Sequence, residues 1–201
     1  MTRFARNHKI LLTCCLVGAA VGLAGLGSYA SFTSQTSAQA HTVTSGTMTL
    51  TIPAAGASNR LTVGASDIAP GDTIQRAFNL TSGGTLNPAS ITLTSTATAS
   101  SLLDSDAANG LQMTIDKCSV AWTEAGPPYT YTCGGTTSSV LGSRAVIGSN
   151  IALSNMSLTS GSTDYLRLTL TLPSSTGNTL QGQSSTISYQ FTGTQRAATN
   201  K

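Results

Sequence analysis

From residue 43 to residue 194 the chain is a succession of short runs in which every second residue is large and apolar, with no long stretch at the helical period between them. Alternation at period two puts successive side chains on opposite faces of an extended backbone, so each run reads as a half-buried strand. The clearest are residues 43–52, with Met48, Leu50 and Ile52 inward; residues 74–80, with Ile74, Phe78 and Leu80 on a face that Arg76 interrupts; and residues 91–97. Leu111, Met113 and Ile115 mark another, as do Leu166, Leu168, Leu170 and Leu172, and then Ile187, Tyr189 and Phe191. Weaker candidates lie at 61–63, 120–122, 129–133 and 145–153.

Turn residues punctuate these runs: Ala69-Pro70-Gly71-Asp72, Thr81-Ser82-Gly83-Gly84, Gly126-Pro127-Pro128, Cys133-Gly134-Gly135 and Thr159-Ser160-Gly161. Each offers backbone angles or side-chain acceptors suited to a reversal of direction. Strands recurring in this way indicate an antiparallel sandwich or barrel. Only residues 100–109 have room for a helical turn or two. About 170 residues suffice for one core, burying roughly 70% of the unfolded surface. Residues 43–194 therefore read as a single all-β domain and 195–201 as a polar tail.

Residues 1–30 follow a different pattern. Arg3, Arg6 and Lys9 precede an apolar run at 10–27 that Gly18, Gly22, Gly25 and Gly27 interrupt. The run is marginal for a membrane span and weakened by glycine, so it reads as a signal peptide. Ser28-Tyr29-Ala30 supplies the small residues needed at positions −3 and −1, placing cleavage between Ala30 and Ser31. Ala38-Gln39-Ala40 also fits, which would start the mature chain at His41, but it lies far beyond the apolar run. Cys14 and Cys15 fall inside that run and read as apolar thiols of the discarded peptide. Residues 31–42 are polar, lack alternation and contain one large apolar side chain, Phe32, which describes a mobile arm.

Charge narrows the functional classes. Only 8% of the residues are charged, against about 25% in an ordinary soluble domain. The net charge of +3 comes from the three basic residues ahead of the apolar run; from Ser31 onward seven basic residues balance seven acidic ones. A nucleic-acid binder needs a basic face to neutralise phosphates, so nucleic acid is excluded as a partner. The segments 43–52, 91–101 and 186–194 carry no charge at all. At a sheet edge they would lack the Lys or Glu that ordinarily blocks pairing with another chain. Interior strands, or a sugar coat over the Ser and Thr surface, would account for the same composition.

Cys118 and Cys133 are the remaining two cysteines, an even number in an exported chain, so they are expected to form a disulfide across a segment containing Trp122 and Pro127-Pro128. Catalytic machinery is not legible. The one histidine after the signal peptide is His41, in the arm, and there is no H-E-x-x-H, G-x-x-x-x-G-K or G-x-S-x-G. No catalytic residue, metal ligand or cofactor site is therefore assigned. Asp104-Ser105-Asp106 lacks most of a calcium loop and reads as a solvated acidic loop capping a short helix. Asp67 and Asp72 bracket a Pro-Gly turn, where aspartate binds backbone amides. Residues 172–177 nearly spell a cell-wall sorting signal but hold one residue too many, and Asn79-Leu80-Thr81 and Asn155-Met156-Ser157 are glycosylation matches of the kind a Ser/Thr-rich chain produces by chance.

The segment Gly25-Leu26-Gly27-Ser28-Tyr29-Ala30-Ser31-Phe32, with its glycine-rich stretch, aromatic-Ala cleavage site and following aromatic, resembles the TasA/camelysin family of secreted proteins. Val43-Thr44-Ser45-Gly46-Thr47-Met48-Thr49-Leu50 is similar to that family's first strand, and residues 67–74 with Phe78, Leu80 and Gly83-Gly84 to its Pro-Gly-Asp turn and second hairpin. Thr33 and Ser34 stand where the family commonly has an acidic residue. The resemblance implies a jelly-roll-like β-sandwich, export by the general secretory route with a dedicated signal peptidase, and extracellular polymerisation in the matrix of Gram-positive biofilms.

The expected function is a secreted structural subunit of a surface or matrix fibre, polymerising by donation of the 31–42 arm with Phe32 as its anchor. Its partners would be further copies of itself and matrix or cell-wall components, with membrane contact only through the uncleaved signal peptide. A camelysin-type secreted protease and a monomeric cell-surface binding module are the alternatives.

Overall fold

A computed structural model of the chain describes residues 43–197 and Thr199. The signal peptide 1–30 with Cys14 and Cys15, the Ala30–Ser31 cleavage site, the arm 31–42 with Phe32 and His41, and the end of the tail lie outside those residues.

Ten strands are described: β1 (Met48–Thr51), β2 (Thr73–Gly84), β3 (Pro88–Ala99), β4 (Gln112–Cys118), β5 (Trp122–Ala125), β6 (Thr130–Cys133), β7 (Thr137–Ala145), β8 (Gly148–Ala152), β9 (Thr163–Thr171) and β10 (Thr186–Gln195). One short helix, α1 (Leu102–Ser105), lies between β3 and β4, and a 3-10 turn at Asn178–Leu180 precedes β10. The strands form a five-stranded sheet in the order β1-β2-β9-β4-β7, a three-stranded sheet β10-β3-β8, and the separate hairpin β5-β6. Every pairing is antiparallel. The order β2-β9-β4-β7 against β3-β8 is that of a jelly roll, with β1 and β10 added beside β2 and β3.

The inner faces supply the core. Phe78, Met113, Ile115, Val140, Leu166 and Leu168 from the larger sheet meet Ile91, Leu93 and Ile151 from the smaller one. The Phe78 and Phe191 rings are 5.3 Å apart across the gap. Burial follows the period read from the sequence: on β9, Asp164, Leu166 and Leu168 are buried while Tyr165, Arg167 and Thr169 are only partly so. Consecutive strands mostly change sheet, as in β2 to β3, β7 to β8, β8 to β9 and β9 to β10. Gly84 allows the first of these changes. It has φ +94, and a Cβ there would run into the Thr47 carbonyl.

The helix within 100–109 forms around a capping box. Ser101 Oγ accepts from Leu103 N–H, and the Asp104 carboxylate accepts from Ser101 N–H. Asp104 is buried, not solvated, because Ser185 arrives from the segment before β10 and donates its hydroxyl. Despite the cost of burial, the hydrogen bonds from Ser185, Ser101 N–H and Ser100 hold this carboxyl below its ordinary range. Asp106 caps the following turn by accepting from the Ala108 and Asn109 amides. At the Pro-Gly turn Asp72 accepts from Ala69 N–H at 2.7 Å, whereas Asp67 is exposed with φ +54 and makes no such bond among the described residues.

Three strand expectations are corrected, the first being 120–122, of which only Trp122, the first residue of β5, is in a strand. Residues 61–63 form a loop, because the Asn59 amide takes backbone partners on both sides, donating to Pro53 O and accepting from Leu61 N–H. The 145–153 run is split by a bend at Val146 and Ile147 between β7 and β8, and most of β7 lies before it.

Phe78→Ala should destabilise the fold by about 3–5 kcal/mol. The expected result is a lower denaturation midpoint with an unchanged denaturant slope.

Candidate functional site

The exposed sheet edges are unusually bare. The edge strands of the two larger sheets are β1, β7, β8 and β10, and Arg144 on β7 is their only charged residue. The longest is β10, ten residues that among the described residues pair with β3 alone. Its inward side chains, Ile187, Tyr189 and Phe191, are only partly buried, and its outward ones are Ser, Thr and Gln. Of the three uncharged segments read from the sequence, two therefore contain edge strands, β1 and β10, while the third, β3, is interior.

At its C-terminal end β10 is closed off. A Cβ on Gly193 would touch Met48 Cε at 3.0 Å and Leu50 Cδ1 at 3.1 Å, so β1 lies against it there. At the other end the sheets part. β1 pairs only with residues 81–84 of β2, and Pro53, with no N–H to donate, follows soon after it. The chain then passes beside β2 as single contacts, Arg60 N–H to Ala77 O and Asn79 N–H to Ser58 O. The result is a cleft of about 1130 Å³. Ile187 and Tyr189 of β10, Leu168, Leu170 and Leu172, and the loop at 61–68 line it. Burial pushes the Tyr189 phenol above its ordinary pKa.

Arg76 is the charge that interrupts the apolar face of β2, and it lines this cleft at 7% exposure. Its Nε donates to Val63 O, Nη2 to Gly64 O and Nη1 to Gln75 O, each at 2.6 Å. The guanidinium thus fastens the loop to the edge of the sheet.

The β5-β6 hairpin stands on the outer face of the five-stranded sheet. Trp122 Nε1 donates to Tyr165 O, and its ring lies over the Arg167 guanidinium, 4.5 Å from the centroid. Arg167 pairs with Asp116 at 2.8 Å on the neighbouring strand β4. The disulfide Cys118–Cys133, with Cα atoms 5.7 Å apart, ties the end of β4 to the end of β6. Glu124 accepts from Arg60 through both oxygens and from the Tyr131 hydroxyl. The Tyr129 ring lies 5.0 Å from Arg60 and 5.5 Å from Arg76. This ionic and aromatic docking went unread in the sequence; the one signal available was Arg76 within an apolar alternation.

The Arg60 hydrogen bond holds the Glu124 carboxyl below its ordinary range, outweighing the effect of burial. As pH falls, the unfolded chain takes up this proton before the folded one, so the contribution is complete above the ordinary glutamate pKa of about 4.3 and is lost as pH drops through the lower folded value. Trp122 is the only tryptophan and reports on the hairpin. Its fluorescence should change on acidification through that window. Glu124→Gln should show the acid-form signal at neutral pH and lose that step of the titration.

A scan against family models matches residues 8–200 to the family described as camelysin metallo-endopeptidase. No curated protein gives a significant match to the chain. The family's description implies a metal, and the donor set can be compared with that. Among the described residues no three His, Cys, Asp or Glu side chains converge. All seven acidic residues are described, and four of them are committed elsewhere: Asp104 to a cap, Asp116 and Glu124 to arginines, and Asp164 to Ser157 and Lys117. The described residues do not fit a catalytic metal. Because the match runs over nearly the whole length, the chain belongs to the camelysin family, the family that includes TasA.

Proposed function

We propose that this chain is an exported structural subunit that polymerises into an extracellular fibre, its arm 31–42 adding as a strand to the open edge of β10 on a neighbouring copy. The observation that carries the reading is β10 itself, a long, uncharged strand at the edge of its sheet among the described residues. Ordering the arm costs about 1–2 kcal/mol per residue. Backbone pairing along the edge and burial of Phe32, about 1.5–3 kcal/mol, offset that cost. A head-to-tail contact of this kind need not close on itself and so propagates. Membership of the camelysin family and the signal-peptide pattern at 1–30 support export. Among the described residues no helix is long and apolar enough to cross a membrane.

Deleting residues 31–42 should leave a folded, disulfide-bonded monomer that does not elongate, and Phe32→Ser should slow elongation; electron microscopy beside size-exclusion chromatography reads both. Filaments of the deletion variant indistinguishable from the parent would defeat strand donation by this arm.

The family's description favours a second reading, a secreted protease. We infer instead that the subunit has no hydrolytic activity, since no nucleophile is given a base and no metal set converges among the described residues. Casein should remain intact after incubation with protein free of other proteases. Cleavage abolished by a chelator would restore the protease reading.

A further inference from the structure

We infer that the cleft beside β10 binds a long-chain fatty acid, its carboxylate on Arg76 and its acyl chain along the leucines. Arg76 is a buried cation without an anion. Every hydrogen bond it makes to the described residues goes to a neutral backbone carbonyl, of Val63, Gly64 or Gln75. A guanidinium has five N–H donors, so two remain after these three bonds. It makes no ion pair with a described residue; Glu124, the carboxylate of the hairpin docked nearby, is taken by Arg60 through both oxygens. Three carbonyls and the Tyr129 ring, 5.5 Å away, solvate this charge without neutralising it, and a guanidinium cannot relieve the cost of burial by losing its proton. A carboxylate matches the planar fork and supplies the missing charge.

The rest of the cleft selects the tail. Leu168, Leu170, Leu172, Leu111, Leu180 and Ile187 give it an aliphatic stretch beside the Ser, Thr, Asn and Gln side chains of 176–188, and among the described residues Tyr189 is the only aromatic one lining it. Such walls suit a flexible chain better than a flat ring system. At about 1130 Å³ the space is at the upper end of ordinary ligand sites, roughly 300–1,000 Å³. Among the described residues Arg76 is the only cation lining it, and Asp67, exposed, the only other charge. That balance favours a singly charged carboxylate over a phosphate head. The arm 31–42 has no Asp or Glu and cannot meet this requirement, so the inference is independent of the fibre reading.

The test is calorimetric titration of the whole secreted protein, stripped of lipid, with palmitate, hexadecanol and hexadecyl phosphate below their aggregation limits. Saturable binding of palmitate is expected, about tenfold or more tighter than hexadecanol, as for a hydrogen bond to a charged group. Arg76→Gln should bring the two close to equal, and Leu170→Trp, which fills the cleft, should remove binding of both. The comparison of acid with alcohol on the unaltered protein needs no variant, so it decides the matter even if Arg76→Gln does not fold. No saturable binding, equal affinity for acid and alcohol, retention of the preference in folded Arg76→Gln, or tighter binding of the phosphate would each overturn the assignment.

Discussion

Two sheets facing each other across a layer of Phe, Leu, Ile and Met side chains hold everything else in place. Phe78, Leu166, Leu168, Met113 and Ile115 alternate with residues on the opposite face of the same strands, so fixing them inward fixes Gln75, Ala77, Arg167 and Asp116 outward. The hairpin β5-β6 docks on that outward set. In a complete jelly roll this pair would extend the smaller sheet beside β8; here it stands over β2 and β9, fastened by Cys118–Cys133, Trp122 and Glu124. Among the described residues the smaller sheet has three strands, with β10 and β8 at its edges.

Three ion pairs hold six of the few charges among the described residues. Arg167 lies between Asp116 and the Trp122 ring, Arg60 binds Glu124, and Lys117 reaches the buried Asp164 at 3.1 Å. Asp164, at 3% exposure, also accepts from the amide and hydroxyl of Ser157, which anchors the connection from β8 to β9. These are local fastenings of loops and of the hairpin to a sandwich that the apolar layer already defines. Arg76 differs in having only carbonyls and the Tyr129 ring for partners among the described residues.

How much of this was readable depended on whether burial was decided locally. β2, β3, β4, β9 and β10 announced themselves because one face of each meets the core over several consecutive alternations. β7 did not. Its pairing with β4 slips twice near Ile115, and its large apolar residues, Val140 and Leu141, are adjacent, so no period-two pattern survives in the sequence. Residues 61–63 showed the reverse failure, since Leu61 and Val63 alternate but the Asn59 side chain ties the backbone into a loop. The solvated reading of Asp104 failed because its burial depends on Ser185, far along the chain. The cleft was equally invisible, being the space left where β1 stops short of the full length of β2.

The neutrality of β10 also bears on the conditions under which such an edge can work. Contacts between charged surfaces weaken as salt shortens the reach of the field, about 8 Å at physiological ionic strength. They also change as carboxylates and imidazoles titrate. Amide and carbonyl groups flanked by Ser, Thr and Gln have neither dependence, because nothing along residues 186–195 is ionised except a phenol at the far end of the pH scale. An edge of this composition presents the same hydrogen-bonding pattern in fresh water and in brine, in mild acid and in mild alkali.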